Sequence, residues 1–219
     1  MQFQIPLKKS LKLFHTLIQP ILTYNSENWA TLTDKQIIKC KADPNQMYEL
    51  SLKAPITVAQ LKFFKFILGV SKQCPTTAIL GEVDELPLQL TAYMNMIKYW
   101  NRLRLMKDDT LVKIAYNESL SMNTNWCKTI QALNATFKLN VSNNLQGTKL
   151  FTLAKKNITK YFHQNWKKGI TNSPKLDFYE KIKPTPQLES YIDLDSFKPG
   201  RRNLFFVQIV PFLVKKDSI

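Results

Sequence analysis

The stretch LGEVDELPLQLTAYMNMIKYWNRLRL, residues Leu80 to Leu105, decides the fold of this 219-residue chain. Pro87 follows an acidic run, and proline is tolerated in a first helical turn because the N–H that it lacks would have no partner there. At about 100° per residue, the segment separates into two sides. One side carries Leu86, Leu90, Tyr93, Ile97 and Trp100, and the opposite side carries Thr91, Asn95, Lys98 and Arg102. The pattern predicts a helix to about Met106, with one core face and one basic face.

The composition extends this helical interpretation to the whole chain. Hydrophobic residues make up 44% and aromatic residues 11% of the sequence, which is enough to build a core. Five glycines and few alternating runs favour helices over strands, so we expect an all-α, irregular helical bundle. No apolar run reaches the ~18 residues of a membrane span, and the N-terminus lacks the pattern of a secretory signal. Three widely spaced cysteines indicate a reduced intracellular compartment, the nucleus or the cytoplasm.

Other helices are bounded by proline, glycine and polar turns. A first helix over Leu7–Ile18 should kink or end near Gln19, because Pro20 removes a backbone donor. A second helix is predicted with Thr57 as its N-cap and Gly69 as its C′ residue. Further helices are predicted over Leu111–Leu120, Trp126–Leu139 and Gly147–Gly169, with a short one ending near Gly81.

The polar segment Lys107–Thr110 divides the chain into two predicted domains. Residues 1–107 are expected to form a helical bundle, and residues 108–219 a basic helical extension. That extension ends in a Pro-rich connector over Lys181–Gly200 and a β-prone tail over Leu204–Val214.

Positive charge is concentrated in the second half of the chain. The formal net charge is +15, and no acidic residue lies between Glu118 and Asp177. On the predicted helix over Gly147–Gly169, four lysines project within about 20° of one direction. They are Lys149, Lys156, Lys160 and Lys167. Such a stripe is typical of phosphate contacts, although lysine is also a common residue of solvated helix faces.

No catalytic or metal-binding constellation is predicted. Paired aspartates can hold two metal ions in polymerases, but Asp108 and Asp109 follow Met106-Lys107 and lie in a predicted loop between helices. His15 and His163 have no Cys, Asp or Glu partner at metal-ligand spacing. We therefore expect no cofactor, no metal and no nucleophilic catalysis.

Four tryptophans permit two interpretations, either stacking on bases or anchoring a core. They are Trp29, Trp100, Trp126 and Trp166. The helical spacing of Trp100 with Tyr93 and Ile97 favours the core, whereas Trp166 flanks two lysines and remains open.

Four motifs in a fixed order resemble the region that follows the palm in reverse transcriptases of non-LTR (LINE-type) retrotransposons. In that family a P-x-L-x-Y-x-x-E-x-W pattern precedes F-x-K-x-x-L-G-V, a G-E-x-x-x-x-P-L segment and a Y-W-x-R-L helix. Here they read Pro20, Leu22, Tyr24, Glu27, Trp29; Phe64, Lys65, Leu68, Gly69, Val70; Gly81, Glu82, Pro87, Leu88; and Tyr99, Trp100, Arg102, Leu103. The likeness covers roughly residues 10 to 205, and it departs from the family at Asn25, where glycine is usual.

This resemblance implies a thumb and post-thumb fragment without the palm and its catalytic carboxylates. Residues 1–107 would be thumb-like, and the chain alone would not polymerise DNA. The implied partners are RNA or an RNA/DNA duplex, with a palm domain encoded upstream, and Lys98 and Arg102 are the phosphate contacts in the matched helix. A helical protein-interaction scaffold, whose charge is only compositional, is the alternative hypothesis.

Overall fold

Helices account for all the regular structure in the part of the chain that the structure describes. The computed structural model describes residues 6–139 and 147–188. In chain order the α-helices are α1 (Leu7–Leu13), α2 (Gln19–Leu22), α3 (Ser26–Trp29), α4 (Asp34–Ala42), α5 (Gln46–Lys53), α6 (Pro55–Leu68), α7 (Thr76–Val83), α8 (Leu88–Arg104), α9 (Leu111–Ser121), α10 (Asn125–Thr136), α11 (Thr148–Thr171) and α12 (Asp177–Ile182). The expected all-α class is confirmed.

The described residues form two units, and each unit draws on separate segments of the chain. Unit 1 contains residues 6–22, 55–87 and 163–188, and unit 2 contains residues 23–54, 88–139 and 147–162. The boundary predicted from sequence at residues 107 and 108 is not among the boundaries of these units. Local polarity marks a turn, but which segments pack together depends on long-range contacts.

Helix α8 is central to unit 2, where it packs against α3, α5 and α10. Its apolar side is buried as predicted, with Tyr93, Ile97 and Trp100 in the core. On its other side the Asn95 Nδ2 donates a hydrogen bond of 3.0 Å to the Ser26 Oγ. The amphipathic period therefore identified both the helix and its buried face.

Unit 1 has an aromatic core built on α6. Phe14 stacks on Phe63 with ring centroids 5.3 Å apart, and its centroid is 5.0 Å from that of Phe64. Helix α6 begins at Pro55, three residues earlier than predicted, so Thr57 is a buried helical residue and not the N-cap. Gly69, with φ +67°, ends the helix as predicted.

Pro20 does not end the first helical segment. The segment passes through a π-helical turn over Phe14–Ile18, in which the Gln19 N–H donates to the Phe14 carbonyl, and then continues as α2. The wider turn rearranges the carbonyls just ahead of Pro20, where the proline ring would clash in a regular α-helix. Of the two outcomes predicted for Pro20, a kink or an end near Gln19, the end is not observed.

Asn25 adopts a left-handed conformation with φ +55° at the start of α3. Glycine has no steric cost there, and asparagine is among the few other residues that adopt this conformation readily. The departure from the glycine of the family pattern is thus compatible with the same backbone turn.

The second half of the chain follows its predicted helices closely. Helices α9, α10 and α11 begin and end within a few residues of the ranges expected from sequence. The first two residues of the expected connector, Lys181 and Ile182, are the last two residues of α12. Residues 189–200 of that connector, the predicted loop over residues 140–146 and the β-prone tail lie outside the described residues.

Candidate nucleic-acid interface

A groove of about 520 Å³ lies within unit 2. Its walls come from α3, from the second half of α8 and from the start of α11. The lining residues are Glu27, Asn95, Lys98, Tyr99, Asn101, Arg102, Leu105, Gly147, Thr148 and Phe151. Lys98 and Arg102, the two α8 residues predicted to contact phosphate, therefore share one concave site.

Each of these two cations lies over an aromatic ring. The Lys98 Nζ is 5.7 Å from the centroid of Phe151, and the Arg102 Cζ is 5.2 Å from the centroid of Tyr99. At such distances the quadrupole of the ring attracts the cation. Both residues are still exposed to solvent, so their charged heads stay accessible to an anion from the side away from the ring.

The start of α11 adds partial positive charge to the same groove. Gly147, with φ +65°, leads into the helix, and Thr148 is its first residue. The first amide N–H groups of a helix have no partner within it and carry the positive end of its dipole. Glu27 contributes the acidic side chain of the lining. The ion pairs of the described residues involve neither Glu27 nor the two cations.

Asn101 joins the two helices that line the groove. Its side chain is 7% exposed, and its Nδ2 donates a hydrogen bond of 2.9 Å to the Gly147 carbonyl. Its Oδ1 is buried and receives no hydrogen bond within the described part of the chain. Buried side-chain acceptors are usually satisfied, so this oxygen calls for an explanation.

All four lysines of the predicted stripe are exposed on α11. Lys149 directly follows the lining residue Thr148 but does not itself line the groove. Lys156 and Lys160 are exposed further along the same helix, about 10 and 16 Å from Lys149 along its axis at 1.5 Å per residue. Lys167 is also exposed but belongs to unit 1. Three of the four therefore share unit 2 with Lys98 and Arg102.

The acidic and histidine candidates are not among the residues that line this groove. Asp108 and Asp109 are exposed in the turn between α8 and α9. His15 contacts Glu85, with 2.9 Å between its Nε2 and the Glu85 Oε1, a partner that no sequence spacing indicated. Burial raises the pKa of the Glu85 carboxyl, and His15 acts in the opposite direction. Over residues 6–139 and 147–188, no group of three or more His, Cys, Asp or Glu side chains is arranged to hold a metal ion.

The three cysteines are free thiols buried in the two units. Desolvation raises the pKa of Cys74 to about 11, although Lys65 lowers it in part. Burial likewise raises the pKa of Cys40, assisted by Asp43. A thiol must lose its proton to act as a nucleophile, so the geometry at Cys74 and Cys40 opposes that chemistry.

Two of the tryptophans are core residues. Trp100 is 8% exposed, and its Nε1 donates to the Tyr116 Oη at 3.1 Å. Trp166, which the sequence left open, is 1% exposed, and its Nε1 donates to the Thr77 carbonyl at 2.8 Å. Neither indole is placed to stack on a base.

Among the residues that line the groove, sequence reasoning predicted Lys98 and Arg102 and missed the others. Tyr99 is three residues before Arg102 on the same helix face, a spacing at which side chains meet, so its pairing with Arg102 had a local signal. Phe151 lies on α11 and is only half-buried. Neither Asn101 nor Glu27 carries a local signal for the groove, because each is brought there by tertiary packing.

Comparison of the chain with protein-family models, with curated proteins and with solved structures gave no match. None of the helices within the described ranges combines the length and apolar character that crossing a bilayer requires.

Proposed function

We propose that this protein binds nucleic acid without sequence preference, through cations of unit 2 that contact the phosphate backbone. The contacts in this proposal are Lys98, Arg102, Lys149, Lys156 and Lys160. The observation that carries it is the groove itself, where Lys98, Arg102 and the start of α11 converge.

The electrostatics of the second half of the chain support this proposal. No acidic residue lies between Glu118 and Asp177, so the lysines of α11 have no acidic neighbours in sequence. A field of one sign attracts polyanions and speeds their association. Phosphate contacts from lysine and arginine position a protein on a nucleic acid but do not read its bases, hence the lack of sequence preference.

We further propose that the chain acts as the thumb and post-thumb part of a non-LTR retrotransposon reverse transcriptase, with an RNA or RNA/DNA duplex and an upstream palm domain as partners. The support is the order of the four sequence motifs. In this proposal the chain binds nucleic acid and does not polymerise DNA.

A helical protein-interaction scaffold is the second candidate function. Helix α9 and the turn that follows it expose apolar side chains, including Leu111 at 84% and Met122 at 67%. Exposed apolar residues grouped on one helix can form a protein-binding surface. Such a surface would bind with little dependence on salt.

Salt dependence separates the two candidates. Each lysine that neutralises a phosphate of duplex DNA contributes roughly −0.9 to the slope of log affinity against log salt. Changing Lys149, Lys156 and Lys160 to Gln should therefore flatten the slope by about 2.7 if all three make such contacts. Fluorescence anisotropy of a labelled duplex across a salt series measures this change, and the same preparation with Mg²⁺ and nucleotides should extend no primer.

The matched control removes the same charge from unit 1. Lys12, Lys62 and Lys72 are exposed there, and changing all three to Gln should leave the slope unchanged. Equal flattening by both triple variants would mean that charge alone, and not the unit 2 surface, drives binding. Absence of wild-type binding at low salt would favour the scaffold.

A further inference from the structure

The groove in unit 2 contains apolar residues that phosphate binding does not require. Tyr99, Leu105 and Phe151 give it an apolar wall next to Lys98 and Arg102. The backbone of a duplex offers only phosphates and sugars to such a surface. An apolar wall beside two cations instead matches an unpaired nucleotide, which carries a flat base and a phosphate together.

The two aromatic rings are placed to contact a ligand. Tyr99 and Phe151 are each only partly buried, whereas Trp100 of α8 is a core residue. Arg102 lies over one face of Tyr99 and Lys98 over one face of Phe151, so each ring pairs with a cationic group. Bases in single strands stack on aromatic rings and on guanidinium planes alike. The volume of about 520 Å³ lies in the range of roughly 300–1,000 Å³ found for small-ligand sites.

Asn101 is a lining residue of the groove, and its side-chain amide is buried. Its Oδ1 receives no donor from the described residues, whereas its Nδ2 is committed to the Gly147 carbonyl. Both an N–H of a base and the 2′-hydroxyl of a ribose are donors that would satisfy this oxygen.

We propose that this groove binds one unpaired nucleotide of a single strand, with its base against Tyr99 and Phe151 and its phosphate at Lys98, Arg102 and the start of α11. The inference rests on the proposed nucleic-acid binding and adds to it a single-stranded nucleotide of RNA or DNA, held in the groove beside the phosphate contacts. Glu27 opposes the phosphate from the same lining, so Glu27→Gln should tighten binding severalfold.

The test compares three labelled oligonucleotides of about twelve nucleotides, a length within the site sizes of single-strand binders. They are oligo-dU, oligo-rU and an abasic strand with the same number of phosphates. Wild type should bind the strands that carry bases roughly 5- to 100-fold more tightly than the abasic strand, the range expected from stacking one base. Tighter binding of rU than dU would assign the Asn101 contact to the 2′-hydroxyl, and equal binding would assign it to the base; both results agree with the inference.

Variants locate the site. Phe151→Leu keeps apolar bulk but removes the ring, so the preference for bases should vanish while abasic binding stays unchanged. Phe66→Leu is the matched control in unit 1, since Phe66 is 82% exposed, and it should keep the preference. Tyr99→Leu provides a second variant, and circular dichroism checks that each one folds.

The outcomes distinguish this inference from the proposed function. Equal binding of base-bearing and abasic strands by wild type would overturn the inference and leave phosphate binding intact. A preference that survives in folded Phe151→Leu and Tyr99→Leu variants would also overturn it. No binding of any strand at low salt would overturn both proposals.

Discussion

Two aromatic side chains pack directly against Gly81 in unit 1. A Cβ atom at this position would lie 2.7 Å from the Trp166 Cζ2 and 2.9 Å from the Tyr179 Oη. Both neighbours are buried and held by hydrogen bonds. The Trp166 Nε1 donates to the Thr77 carbonyl, and the Tyr179 Oη donates to the Glu82 Oε1, each at 2.8 Å. The Gly81-Glu82 dipeptide of the sequence motif thus has a packing role.

We expect Gly81→Ala to destabilise the protein by about 1–3 kcal/mol, the usual cost of forcing extra volume into a packed core. The neighbours cannot move away without losing their hydrogen bonds. Urea denaturation followed by circular dichroism measures the change in the free energy of unfolding.

Gly169 provides the matched control for that substitution. It lies inside α11, and a Cβ there would meet Thr77 at an ordinary contact distance of 3.4 Å. Alanine is favoured over glycine in a helix interior, so Gly169→Ala should be neutral or stabilising by up to about 1 kcal/mol. Equal effects of the two substitutions would contradict the packing role of Gly81.

At the scale of the element, the start of α4 shows how a short helix is specified locally. The Gln36 backbone N–H donates to the Thr33 side chain at 3.4 Å, and the Thr33 N–H donates to the Gln36 Oε1 at 2.8 Å. This reciprocal pair is a capping box, and it satisfies donors that the helix leaves without partners. With nine residues, α4 depends on such end contacts more than a long helix does.

Thr33→Ala should therefore cost about 0.5–2 kcal/mol of stability, because alanine cannot accept the Gln36 hydrogen bond. The free energy of unfolding from chemical denaturation checks the value. Thr31→Ala is the control, since Thr31 is exposed before the cap. An unchanged stability in Thr33→Ala would show that tertiary packing alone fixes the start of α4.

At the scale of the whole molecule, neither unit is a continuous stretch of sequence. Unit 1 needs residues 163–188 to complete the packing on Gly81, and unit 2 needs α10 and the first part of α11 to pack against its earlier helices. A cut in the polar turn at residue 107 therefore removes part of both units.

The fragment 1–107 should accordingly lack a cooperative thermal transition, whereas the full chain should show one. The fragment keeps α8 but loses Trp166, Tyr179 and α10, so much of the apolar surface of both cores would face water. Circular dichroism at 222 nm across a temperature ramp compares the two. A sharp transition in the fragment would restore the two-domain division expected from sequence.

The sequence by itself determined the properties that depend on neighbours within about one helical turn. The all-α class follows from composition and period, and the buried face of α8 follows from the spacing of Tyr93, Ile97 and Trp100. The shared direction of Lys98 and Arg102, four residues apart, is a property of the same local geometry.

Only the tertiary structure decided which distant segments meet. Phe151 and Gly147 reach α8 through chain folding, as Trp166 and Tyr179 reach Gly81, and no local periodicity encodes such contacts. The π turn before Pro20 also escaped prediction, since a proline in a helical pattern usually marks a break. The groove forms only through long-range contacts. Its cations lie on α8, whereas Phe151 and the start of α11 come from a distant segment of the chain.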